Sequence, residues 1–197
     1  PGHSSAASDV YKRQVRETID VVYNSELGNA AVALIKQKSI KPGTVLIEAL
    51  FNADCPAPKR LQIGRYLDQQ PIRYLITLDC RDLSEAIGCE AFTRLLKPIS
   101  ITQSAGVVRE LRTKISAALT HLESRAAERV SSLRDAATSM ISEELNSEAS
   151  RLEALGNRNG SVRDDEVAMI KQIQKDSLEA VTRAEPKLQG VRVVVAT

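Results

Sequence analysis

The chain has 197 residues, with 27 Lys and Arg against 25 Asp and Glu, a formal net charge of +2, and 3% aromatic residues with no Trp. That length suits one domain, or one domain with a projecting element. The near-neutral balance excludes a strong non-specific pull toward nucleic acid or membrane, and so few aromatics disfavour a base-stacking platform for single strands.

No apolar run reaches the ~18 residues that a membrane-spanning helix needs. No secretory signal is seen, so secretion is not expected. Cys55, Cys80 and Cys89 are odd in number and form no CxxC pair. They read as reduced cytosolic thiols rather than a disulfide or zinc framework.

Residues 1–14 have neither period nor core content, and the stretch from Ser8 to Gln14 resembles translated adapter read-through. They are set aside as a non-native leader. Val15 to Tyr23 is expected to form a short helix, and Asn24 to Asn29 a turn. Ala30 to Ile35 leans toward strand, closed by the Lys41-Pro42-Gly43 turn. From Thr44 the period is two: Val45, Ile47, Ala49 and Phe51 face one way, Leu46, Glu48 and Leu50 the other. Cys55-Pro56-Ala57-Pro58 breaks the run. Leu61, Ile63, Arg65 and Leu67 alternate again, and Asp68-Gln69-Gln70-Pro71 leads into Ile72, Tyr74, Ile76 and Leu78. Three such runs predict an antiparallel meander. Ser84 to Leu96 predicts a helix, which Pro98 separates from the next element.

Ser104 to Leu155 predicts one long helix. Apolar residues recur mostly at steps of three and four, from Val108 through Leu119, Leu133 and Met140 to Leu152. No proline interrupts them. About fifty residues make a rod of roughly 75 Å, too long to bury its stripe against one small core. Its partner comes next in the chain. Gly156 to Gly160 is a turn signal, and Ser161 to Arg163 a cap-like start. Asp164, Asp165 and Glu166 then place negative charge at a helix N-terminus. A second stripe through Val167, Ile170, Ile173, Leu178 and Val181 ends before Pro186. Two helices joined this closely form an antiparallel hairpin.

The closing segment, Val191 to Ala196, is apolar and β-branched on both faces, as in a covered interior strand. It is expected to return to the sheet begun by the N-terminal strands. The fold class is therefore α+β: an antiparallel sheet of N-terminal strands plus the C-terminal strand, with a long helical hairpin inserted. The expected division is a sheet-forming part with flanking helices over 15–98, the hairpin over 99–187, and the terminal strand over 188–197.

Catalytic constellations are scarce. No Gly-x-x-x-x-Gly-Lys-Ser/Thr or Gly-x-Gly-x-x-Gly loop occurs, so no phosphate cradle is visible. His3 lies in the leader, and His121 reads as a surface residue of the rod. Asp164, Asp165 and Glu166 point in different directions, so an acidic helix start outweighs a cation site. Glu143, Glu144 and Glu148 are expected to be solvated, with Arg151 nearby. One basic stretch stands out: Lys36, Lys38, Lys41, Lys59, Arg60 and Arg65 occur among few acids. Lys41, Lys59, Arg60 and Arg65 are the expected contacts for phosphates or a partner. Ordinary solubility is the blander alternative.

Lys41 to Glu48, Ala57 to Gln62, Pro71 to Arg73, Ser150 to Leu155, Val162 to Glu166 and Val191 to Thr197 match in order the C-terminal region of the RapA family, which this chain resembles. These are bacterial RNA polymerase-associated ATPases of the Swi/Snf type. The resemblance covers about residues 15–197 and departs from the family in the more glycine-rich loop at 156–160. It implies a non-catalytic accessory domain of a motor that recycles RNA polymerase in transcription. ATP and magnesium would belong to upstream lobes, with no cofactor, metal or catalytic residue here. The implied partners are core RNA polymerase and the motor lobes of the same polypeptide. Weak DNA or RNA contact, no membrane, a monomer and a bacterial cytoplasmic, nucleoid-associated setting complete the expectation. The alternative is a free-standing coiled-coil interaction protein without enzymatic activity, which would dimerise through the rod.

Overall fold

The computed structural model describes residues 30–159 and 164–197. The expected helix over Val15 to Tyr23 and the turn after it lie outside the described residues, as do residues 160–163; of the turn expected over Gly156 to Gly160, Gly156 to Asn159 instead continue the long helix. Five strands form one mixed sheet: β1 (Ala30–Ile35), β2 (Val45–Asp54), β3 (Ile72–Thr77), β4 (Leu96–Pro98) and β5 (Glu185–Ala196). Their order is β3-β2-β5-β1-β4. β2 and β3 pair antiparallel, with Leu46 opposite Thr77 and Phe51 opposite Ile72. β1 pairs antiparallel with β4. Against β2, β5 also runs antiparallel. Ala196 exchanges backbone hydrogen bonds of 2.8 Å with Gly43 and Thr44, while Arg192, four residues back, meets Glu48, four residues on.

The last strand is thus central, as its two apolar faces require. Val193 and Val194 are both 0% exposed. One detail differs from an all-antiparallel sheet. β5 runs parallel to β1, with Ala31 opposite Arg192 and Ile35 opposite Ala196. Most of the chain separates these two strands in sequence, which leaves ample length for the crossover that a parallel pair needs.

Leu61 to Leu67 is not a strand. Lys59–Leu61 and Ile63–Arg65 are single 3-10 turns, with Gln62 between them in the left-handed region at φ 47°. Leu61, Ile63 and Leu67 are buried, as the alternation suggested, but the tighter turning also brings Tyr66 inward. No meander of three forms, and β2 pairs directly with β3. The helix expected over Ser84 to Leu96 shrinks to α1 (Cys89–Leu95), with β4 following at once. Local polar chemistry occupies the preceding residues. The Ser84 amide donates to Asp82 Oδ1 at 2.8 Å, and Ser84 Oγ accepts from the Leu75 amide at 2.9 Å. Ser and Asp bonds of this kind compete with helix formation.

The long helix α2 (Ile101–Asn159) and α3 (Asp164–Thr182) complete the chain. The described residues divide into two compact units: 30–51 with 71–125 and 188–197, and 52–70 with 126–159 and 164–187. In the first unit, one sheet face carries Ala33, Ile35, Leu46, Leu75, Val194 and Ala196, clustered with Phe92 of α1. The opposite face carries Ile47, Ala49, Tyr74 and Val193. The Tyr74 hydroxyl donates to the Arg125 carbonyl at 3.2 Å, which identifies this as the face on which α2 lies. Val108, Ile115, Leu119 and Leu122 are buried on that part of the helix.

In the second unit α2 and α3 form the expected antiparallel hairpin. Lys171 meets Glu153, Gln174 meets Asn146, and Arg134 donates to the Thr182 carbonyl. Position falls along α2 as it rises along α3. The buried stripe differs in register from the expected one: Met140 is 48% exposed, whereas Ile141 is 0% exposed and Leu133 only partly buried. From Ala137 the buried positions step by four through Ile141 and Leu145 to Ala149. A seam that follows the i±4 ridge leaves the i+3 position outside.

Candidate functional site

Lys41 belongs to the first unit, in the turn before β2 that Gly43 closes at φ 83°. It lines a cleft of about 550 Å³ with Thr44, Thr77, Asp79 and Arg81 above apolar Leu83 and Ile87. Lys59, Arg60 and Arg65 belong to the second unit, on the 3-10 turns. Arg60 Nη2 lies 2.7 Å from Asp176 Oδ2, and Arg65 Nη2 lies 2.7 Å from Glu144 Oε1. The Arg60 hydrogen bond, with a second from Gln172, holds the Asp176 carboxyl below the usual carboxylate range. These pairs tie the turns to the two helices of the hairpin. Glu144 is therefore not merely solvated, as expected, but engaged by Arg65. Glu148 takes Arg151 Nη2 at 2.6 Å, and His121 is exposed, both as expected.

The partly buried thiol of Cys55 is not an activated nucleophile. Cys55 Sγ donates to the Ala180 carbonyl at 3.2 Å, and burial pushes its pKa up against the opposing influence of Arg183. A raised pKa leaves little thiolate. Among the described residues no three His, Cys, Asp or Glu side chains gather as a metal site. None of their helices is long and apolar enough to cross a membrane.

A second cluster was not anticipated. Glu48, Arg73 and Arg192 come from the adjacent strands β2, β3 and β5 and meet on the sheet face that Phe92 partly covers. Arg73 Nε donates to Glu48 Oε1 at 2.7 Å, and its Nη1 donates to the Ile87 carbonyl at 2.8 Å. Its guanidinium also lies 5.6 Å from the Phe92 ring centroid. Arg192 Nη1 is 3.1 Å from Glu48 Oε2, but at an angle that makes no hydrogen bond. The side chains of Arg73 and Glu48 are 13% and 5% exposed. Two guanidinium charges thus share one carboxylate, and buried Arg73 Nη2 and Arg192 Nη1 have no hydrogen-bond partner. A buried donor left unmade costs about 1–3 kcal/mol. The sequence signal was the single charge, Arg192, within an otherwise apolar central strand.

Asp82 supplies a pH-dependent contact. Burial raises its pKa, but bonds from Ser84 and Arg125 outweigh this and bring it from an ordinary 3.8 to about 2. A depressed carboxyl stabilises the fold above its unfolded pKa and loses that contribution as pH falls toward its folded one. The Asp82 side chain is 37% exposed, so solvent screening reduces the effect to about 1 kcal/mol. Denaturant melts should show wild type losing about 1 kcal/mol more than Asp82→Asn between about pH 4 and pH 2. Parallel losses in both proteins would remove Asp82 from the acid response.

Compared with protein-family models, residues 13–196 match the RNA polymerase recycling family, C-terminal. The chain belongs to that family. The match takes in every strand and helix described above, and agrees with the ordered resemblance seen in the sequence. The chain is similar to the RNA polymerase-associated protein RapA of Klebsiella pneumoniae (strain 342), at 31% identity over 183 residues. Its counterpart in Vibrio cholerae serotype O1 (strain M66-2) is 33% identical over 181 residues. These alignments take in 93% and 92% of this chain but 19% of each relative. This family domain therefore spans about a fifth of the length of the curated relatives it matches.

Proposed function

We propose that these residues form a non-catalytic C-terminal accessory domain of an ATP-dependent, RNA polymerase-associated protein that recycles RNA polymerase during bacterial transcription. The observation that carries this reading is the family match over 13–196 in a chain that corresponds to only 19% of relatives named RNA polymerase-associated protein RapA. The absence of a phosphate-binding loop from the sequence supports it. ATP and magnesium belong to motor lobes outside these residues. The partners are core RNA polymerase and those lobes, the setting is the bacterial cytoplasm, and the domain acts as a monomer.

The purified chain should release no phosphate from ATP, with or without DNA. Steady release that survives a control preparation would overturn the non-catalytic assignment. Minor nucleic-acid contacts, through Lys41 in the first unit and separately through Lys59 in the second, form part of the same reading. Arg60 and Arg65 join Lys59 only by leaving their carboxylates. DNA affinity should accordingly be weak, fall steeply between low and physiological salt, and drop further in Lys59→Glu/Arg60→Glu. Tight, salt-indifferent binding, or no change in the variant, would contradict these contacts.

A further inference from the structure

Glu48 and Arg192 of this cluster border a recess of about 220 Å³, lined also by Ala31, Leu50, Gln189, Gly190 and Val191, while Arg73 lies behind Glu48 and outside the lining. Strand register explains the opening. Ala31 lies opposite Arg192, and Glu48, Leu50 and Gly190 share their face, where small side chains at 31 and 190 leave space beside the charges. The same face is filled farther along by Phe92, Leu75 and Val194. Glu48 is the one carboxylate among the described residues that ion-pairs with either arginine. Arg73 spends two of its nitrogens on Glu48 and on the Ile87 and Ser84 carbonyls. Arg192 Nη1, itself buried, makes an ion pair but no hydrogen bond, and the Arg192 side chain as a whole is 31% exposed.

We propose that this recess is a carboxylate-binding site, which accepts the acidic side chain of another polypeptide segment with Arg192 as principal donor. One surplus positive charge calls for one negative charge, and the guanidinium fork matches a carboxylate. Apolar Ala31, Leu50 and Val191 suit the methylenes of a Glu side chain. A nucleic-acid strand fits less well. It needs several cations along a groove, whereas Arg192 is the only cation in the lining and Glu48 opposes a polyanion.

The test is NMR of the whole chain, reading the Nε–Hε signals of Arg192 and Arg73 at constant ionic strength while chloride is replaced by acetate. A capped Gly-Glu-Gly peptide and its Gln counterpart provide the peptide arm, and inorganic phosphate the rival arm. The Arg192 signal should shift saturably with acetate and with the Glu peptide but not with the Gln peptide, and Arg192→Gln should abolish the response. Glu48→Gln removes the competing carboxylate and should tighten acetate binding about tenfold. If Arg192→Gln fails to fold, the wild-type titration and Glu48→Gln still decide. No saturable shift in wild type would mean that only water occupies the recess. A response to phosphate alone would make it a phosphate site, and unchanged affinity in Glu48→Gln would place the ion elsewhere. Each of these results overturns the proposal.

Discussion

Truncation after Gly190 should yield insoluble or molten protein. The lost segment is the middle of the sheet: β5 lies between β2 and β1, so its removal opens two strand edges. Val191, Val193 and Val194 are each at most 4% exposed. Burying three such side chains contributes about 5–9 kcal/mol as an upper bound. A whole domain is stable by only about 5–15 kcal/mol, so little remains without them. The backbone bonds that Ala196 makes with Gly43 and Thr44 disappear as well, and with them the anchor of the turn carrying Lys41. Expression with hydrogen exchange on any soluble product is the measurement. A cooperative melt with protected amides across β2 and β3 would contradict the central position of β5.

Ile141→Asp should destabilise the protein by about 4–5 kcal/mol or more, while Met140→Asp should stay within about 0.5 kcal/mol of wild type. The two residues are neighbours in sequence on one helix, so propensity and local charge are nearly matched. Burial differs: Ile141 is 0% exposed and Met140 48% exposed. Removing a buried isoleucine alone costs about 2–5 kcal/mol, and an unpaired carboxylate in its place adds desolvation. Chemical denaturation of both variants reads the difference directly. Equal losses would mean that the seam between α2 and α3 does not follow the steps of four from Ala137 to Ala149.

The features legible in the sequence were those with one dominant cause. Five apolar residues around Arg192 could be covered only inside a sheet, and a long uninterrupted helical period needed a second helix after Gly156 to Gly160. The features misjudged were those where two periods or two bonding schemes compete. Leu61, Ile63 and Leu67 satisfy an alternating pattern equally well as a strand or as consecutive 3-10 turns. The left-handed backbone at Gln62 decides between them. At Ser84, side-chain bonds to Leu75 and Asp82 outweigh helix propensity. Met140 and Ile141 both fit a helical stripe, and only the ridge followed by α3 separates them. The site residues carried even less signal. Basic composition singled out Arg60 and Arg65, but their acids lie 116 and 79 residues away. The cluster of Glu48, Arg73 and Arg192 depends wholly on strand order, which no local pattern reveals.

The central claim, that this is an accessory rather than a motor domain, is tested most directly in a full-length protein carrying these residues at its C-terminus. The measurement is RNA polymerase release in multiple-round transcription, alongside ATP hydrolysis, with and without residues 30–197. The account predicts that the deletion reduces release while ATP hydrolysis by the motor persists. Complete loss of hydrolysis in a soluble, folded deletion protein, or undiminished polymerase release, would contradict it.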